Sequence, residues 1–147
     1  MVKEITSIII RDLEKLKEEI LLYKNEAMLW KIDGQVANSA GNLCLHLIGN
    51  LNSYIGAQLG NTGFIRNRPL EFSTSFVPRE QLIVQLNKTI NVVANGLSLL
   101  QDEDLKKEHP YWVWENKTSV GYLLMHLAVH LGYHLGQINY HRRMMDR

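Results

Sequence analysis

Cysteine is nearly absent from this chain of 147 residues: Cys44 stands alone. That excludes an intrachain disulfide framework and any cysteine cluster for zinc or iron–sulfur within one chain. Blocks of one charge are missing too, since 16 basic residues face 15 acidic ones for a formal net charge of +1. A nucleic acid or an anionic membrane would find no electrostatic footprint here. Nor does any uninterrupted apolar run approach the roughly 20 residues of a membrane span. The opening MVKEITSIIIRD meets charge too soon for a signal peptide and has no small-residue cleavage site. These absences predict a soluble cytoplasmic protein, with no nucleic acid and no membrane as partner. The length fits a single domain over 1–147 that can bury a sizeable core.

Two further absences are local. Neither Gly34 to Ile65 nor Ser119 to His141 contains Lys, Arg, Asp or Glu. Both stretches read as helices buried on more than one side. Residues 3 to 30 read as one long amphipathic helix, with Ile5, Ile9, Leu13, Leu16, Ile20, Tyr23, Ala27 and Trp30 at steps of three and four. Asn38 or Ser39 is the expected cap of a second helix running to about Leu59. Its stripe Leu43, His46, Leu47, Asn50 and Tyr54 would face the core. A second stripe of Leu45, Ile48, Ile55 and Leu59 would meet another subunit, which predicts a homodimer.

The stretch from Gly60 to Val77 is long for a connection and is expected to line a site. Pro78 suits the start of a third helix. From Gln101 to Lys117 the chain is acidic and then aromatic, with a short extended piece predicted around Tyr111, Trp112 and Trp114. Thr118 or Ser119 would cap a last helix ending near Met145. Four substantial helices and no convincing sheet predict an all-α four-helix bundle with long loops between helices 2 and 3 and between helices 3 and 4.

The last helix carries the chemistry. It holds His126, His130, His134 and His141, and the first three are spaced by four, so they line one face. Residues four apart lie roughly 5–6 Å apart at Cβ, close enough for two imidazoles to grip one ion. His126 and His134 are separated by about 12 Å of rise and cannot easily share it. One adjacent pair is therefore the binding pair, either His126 with His130 or His130 with His134. His46, mid-helix in the other charge-free segment, is the third candidate. The plainer alternative is histidines hydrogen-bonded within a core, but three aligned rings and a fourth on a second buried helix favour a metal. His109 reads as a solvated loop residue, His141 as surface or interface, and Cys44 as pointing away from the site.

The run HLAVHLGYHLGQINYHRR, with WKIDG and NSAGNLCLHL upstream, resembles the DinB/YfiT-like family, in which a last-helix H-x-x-x-H-x-G-Q signature joins a histidine at the start of helix 2. The resemblance implies a four-helix bundle with His46, His130 and His134 as metal ligands and His126 as a pocket residue. It also implies a divalent-metal-dependent enzyme, a transferase of low-molecular-weight thiols ahead of a hydrolase. Imidazole suits zinc and nickel, and also iron and copper. The expected partners are a small-molecule substrate and a thiol cosubstrate. Arg66 and Arg68 are candidates for holding the cosubstrate's carboxylates. Asn50 and Tyr54 are candidate pocket polar groups, and Gln137 would orient a ligand. No general base can be named, although Glu26, Glu71 and Glu115 are available. The competing class is a non-enzymatic helical module whose metal stabilises a dimer.

Overall fold

The computed structural model of the chain describes residues 1–110 and 116–147. Among them it is all-helical, with α1 over Val2–Leu21, α2 over Ala40–Leu51, α3 over Arg68–Ser73, α4 over Arg79–Ser98 and α5 over Val120–Met145. The described residues form no strand, only an isolated antiparallel bridge between Glu108 and Ser119. The extended piece expected at Tyr111 to Trp114 and the candidate base Glu115 fall outside the described residues. Among the described residues no helix is long and apolar enough to cross a membrane.

α1 buries Ile5, Ile9, Leu13, Leu16 and Ile20 against α4 and α5, as its periodicity requires. It does not continue to Trp30. The helix stops at Leu21, and a separate 3₁₀ turn covers Glu26–Trp30. Polar groups hold this break open. The Asp146 carboxylate, from the far end of the chain, accepts hydrogen bonds from the backbone N–H groups of Lys24 and Asn25. The Asn25 side chain then caps the 3₁₀ turn at the Ala27 N–H, 3.0 Å away. Trp30 is thereby turned inward onto α2, where Gly41 receives its ring. A Cβ at that glycine would lie 2.6–2.7 Å from the indole carbons.

Ser39 caps α2, its hydroxyl accepting the Asn42 N–H at 3.1 Å. The helical path does run on past Leu51, but through a π-helical turn at Asn52–Ala57. That turn seats Ile55 against Gly96 of α4, where a Cβ would come within 2.9 Å of the Ile55 side chain. The second stripe of α2 is therefore not open to another subunit. Ile48 and Ile55 are buried, and Leu45 and Leu59 pack on the same core. The reverse correction applies to α5, which is charge-free yet not buried on every side. Leu123, Leu124, Leu127, Leu131 and Ile138 enter the core, while Met125, Val129, Tyr133, Tyr140 and Met144 face outward. Within the long connection before α4, Asn67 and Pro69 start the short helix α3, which packs on α2.

Filling the space that Gly41 leaves for Trp30 should therefore overpack a rigid contact. Gly41→Ala is expected to cost about 1–3 kcal/mol, read as a lowered urea midpoint at unchanged slope.

Candidate metal centre

The first turn of α2 does more than start a helix. The Asn42 amide donates to the Glu71 carbonyl at 3.0 Å and to the Thr74 carbonyl at 2.6 Å, and the Ser39 hydroxyl donates to Asn42 Oδ1 at 2.7 Å. These bonds pin α3 to α2 and carry the buried Glu71 side chain to His46. One Glu71 oxygen lies 3.0 Å from His46 Nδ1. A carboxylate only accepts, so Nδ1 carries the proton and Nε2 keeps its lone pair. Arg66 grips the same carboxylate with two bonds, Nε at 2.8 Å and a terminal nitrogen at 2.9 Å. Gly49 makes this possible, because a Cβ there would stand 1.9 Å from the second Glu71 oxygen.

α5 runs antiparallel to α2 across this region and presents its histidines one turn apart. His46 Nε2 lies 3.1 Å from His130 Nε2, which lies 3.2 Å from His134 Nε2. On the far side of His134, Nδ1 meets Gln137 Oε1 at 2.7 Å, leaving the His134 Nε2 lone pair free to point inward. Metal–nitrogen bonds of about 2.0–2.1 Å imply nitrogen–nitrogen edges of roughly 2.9 Å for right-angled ligands and 3.3 Å for tetrahedral ones. The observed edges fall between. The three side chains form a group with ligand atoms placed to hold one ion.

Burial favours the neutral form of His46 and His130. Burial, and then the neighbouring rings of His134, His46 and His126, push the His130 pKa down to about 3. The His46 pKa is lowered too, because burial outweighs the pull of Glu71. Neutral imidazole is the form that binds metal. His130 Nδ1 is buried with no hydrogen-bond partner, so this ring alone lacks an orienting oxygen.

The other expected site residues take varied places. His126 stacks on His130 with ring centres 5.9 Å apart and stays outside the three-nitrogen group. Asn50 is buried one turn beyond His46, and its Oδ1 has no partner. Tyr54 is half-buried against the core. Arg66 is engaged by Glu71, whereas the Arg68 guanidinium lies over the Phe72 ring at 5.3 Å. Phe72 in turn packs on His46, and Tyr133 on His134. Glu26 is remote from the cluster, accepting the Arg79 N–H at the start of α4. His109 is buried rather than solvated. His141 is likewise internal, between the Tyr23 hydroxyl at 2.7 Å and the Lys31 carbonyl at 2.8 Å. The role of Glu71 was not readable from spacing, because its contact with His46 spans 25 residues and depends on the bare backbone of Gly49.

The family model described as "Protein of unknown function (DUF1572)" matches residues 3–147. No curated protein matches the chain.

Two consequences can be measured. Gly49→Ala should displace the Glu71 carboxylate and weaken binding of zinc or nickel by roughly 10–100-fold, as read by competition with a chelating dye. The second concerns acid. An unfolded histidine takes up a proton near pH 6.5, whereas His130 in the fold resists protonation down to about 3. The unfolded state therefore binds more protons between these values, and stability falls as pH falls through that window. Metal-free protein should show its melting temperature dropping from about pH 6.5 downward, and a flat profile there would refute the burial of His130.

Proposed function

We propose that this chain, which belongs to the DUF1572 family, is a DinB-like four-helix bundle that holds a divalent ion on His46, His130 and His134. Zinc or nickel fits the three imidazoles best, with iron or copper as alternatives. The observation that carries the reading is the meeting of three Nε2 atoms within 3.1–3.2 Å along two edges. Glu71 and Gln137 fix the tautomers that leave two of those lone pairs facing inward.

Three protein ligands leave coordination positions open, unlike a structural zinc closed by four. A bound divalent ion would supply Lewis acidity, bringing the pKa of a water or thiol toward neutrality. The favoured activity is transfer of a low-molecular-weight thiol to an electrophilic small molecule in the cytoplasm. In that reaction the thiol gives up its proton to solvent and its sulfur forms a bond to the electrophilic carbon. The leaving group departs with the electron pair of the bond that breaks. Hydrolysis, with water in place of the thiol, is the second reading.

The chain's own residues have separable tasks. Glu71 orients His46, and Arg66 holds Glu71 with two hydrogen bonds. Arg66 is thus occupied, and Arg68 remains the freer cation for a cosubstrate carboxylate. His126, Asn50 and Tyr54 would border the pocket, and Phe72 and Tyr133 pack against the His46 and His134 rings. A second copy of the chain is the proposed partner. In the non-enzymatic alternative the same ion would only brace the helices.

Elemental analysis of protein purified without affinity nickel should find one ion per chain, following from the single three-histidine group among the described residues. His46→Ala, His130→Ala and His134→Ala should each lose it, while His126→Ala should weaken binding only modestly. Metal-dependent consumption of an electrophile with a panel of thiols would support the enzyme. If chelation lowers the melting temperature but no thiol or ester turns over, the bracing role wins.

A further inference from the structure

A cleft of about 530 Å³ lies beside the histidine cluster, between residues 35–38 and the C-terminal half of α5. His134 and Gln137 form part of its wall, so it meets the candidate metal centre at one of the three ligands. Tyr133, Gln137, Tyr140 and Met144 follow at steps of four, three and four, which sets them on one face of α5. Leu43 of α2 and Val36 of the preceding loop complete the lining. Among the described residues no Lys, Arg, Asp or Glu lines the cleft. Arg143 places its guanidinium 5.4 Å from the Tyr140 ring centre without joining that lining. His141 does join it, but burial favours its neutral form, and its two nitrogens go to the Tyr23 hydroxyl and the Lys31 carbonyl.

Size and lining together select an occupant. Ligand cavities run from about 300 to 1,000 Å³, whereas one turn of a helix about 10 Å wide fills roughly 420 Å³ by itself. The cleft suits a small molecule rather than a protein segment. Phenol rings and methionine thioethers offer surfaces that stack against a planar apolar body. A charged group would lose hydration here and meet no opposite charge, a loss the cleft cannot offset. Gln137 adds one directional contact. His134 Nδ1 meets its oxygen at 2.7 Å, so the amide nitrogen is left to donate to an acceptor on the occupant. An occupant also accounts for the apolar side chains on this part of α5, where Tyr133, Tyr140 and Met144 are 64, 64 and 50% exposed.

We propose that this cleft binds the electrophilic substrate by an uncharged, ring-bearing apolar part, with Gln137 donating to an acceptor on it. That the occupant is the electrophile rests on the proposed thiol transfer; the ligand class rests on the cleft alone. The two substrates are thereby separated by charge. A thiolate goes to the ion, and the uncharged molecule lies against His134 from the Gln137 side.

Two dyes that differ by one sulfonate test the ligand class. N-phenyl-1-naphthylamine is uncharged, and 8-anilino-1-naphthalenesulfonate is the same ring system carrying an anion. In fluorescence titrations the metal-free full chain should bind the uncharged dye one to one, and about tenfold tighter than the sulfonate. Val36→Trp, which fills the cleft, and Tyr140→Glu, which charges it, should each weaken the uncharged dye about tenfold. Val129→Glu, exposed on the same helix but outside the cleft, should leave it bound. No binding of the uncharged dye, equal or tighter binding of the sulfonate, or unchanged binding in both cleft variants at unchanged helicity overturns the proposal. Cobalt-loaded protein tests whether the occupant is the electrophile. The uncharged dye should shift the visible cobalt absorption, because it contacts His134 and Gln137. Dye binding that leaves this absorption unchanged overturns the assignment to the electrophile. A chain that binds the dye but no cobalt refutes the metal centre instead, and the ligand class stands.

Discussion

The grip of one buried carboxylate on one imidazole underlies the rest of the site. Glu71 takes the Nδ1 proton of His46 and so fixes which His46 nitrogen faces α5. Remove that bond and nothing fixes which edge of His46 faces inward, and the three-nitrogen meeting point dissolves. The carboxylate is itself expensive to bury, and a lone charge in such surroundings would cost several kcal/mol. It is tolerated because Arg66 meets both oxygens and His46 meets one, so its lone pairs are used. The backbone prepares the place. Asn42 draws the end of α3 onto α2, and Gly49 gives the carboxyl group room.

Much of this was legible in the sequence, for identifiable reasons. The 3.6-residue periodicity of α1 and α4, the cap at Ser39 and the cap at Ser119 are local signals, and local signals place helices. His130 and His134 share a helix, so spacing made them one of two candidate pairs, and the resemblance chose between them. His46 needed a second clue, its position in a charge-free helix and the resemblance around it. What escaped was set by contacts between distant residues. The break after Leu21 depends on Asp146, more than a hundred positions away. The burial of His141 depends on Tyr23 and Lys31. Glu71 could be counted among the carboxylates but not placed.

The two charge-free helices show why composition alone misleads about burial. α2 lacks charge because core, α3, α4 and α5 enclose it. α5 lacks charge from Val120 to His141, yet one flank is open, and only the packing distinguishes the two cases. The same uncharged composition thus fills an interior in one helix and leaves an exposed flank in the other. The histidine face of α5 lies beside the open flank, and Tyr133 belongs to both through its contact with His134.

The pairing of Arg66 with Glu71 also sets the net charge around any ion bound here. A carboxylate hydrogen-bonded to a metal-binding histidine ordinarily lends that ligand negative character and dims the field of the ion. Here the guanidinium pairs with the carboxylate at 2.8–2.9 Å, and imidazoles that bind metal do so uncharged. A divalent cation would keep both its positive charges undiminished for whatever enters from solvent. With such an ion bound, the centre would draw anions, and its pull on an incoming thiolate would be set by the ion alone.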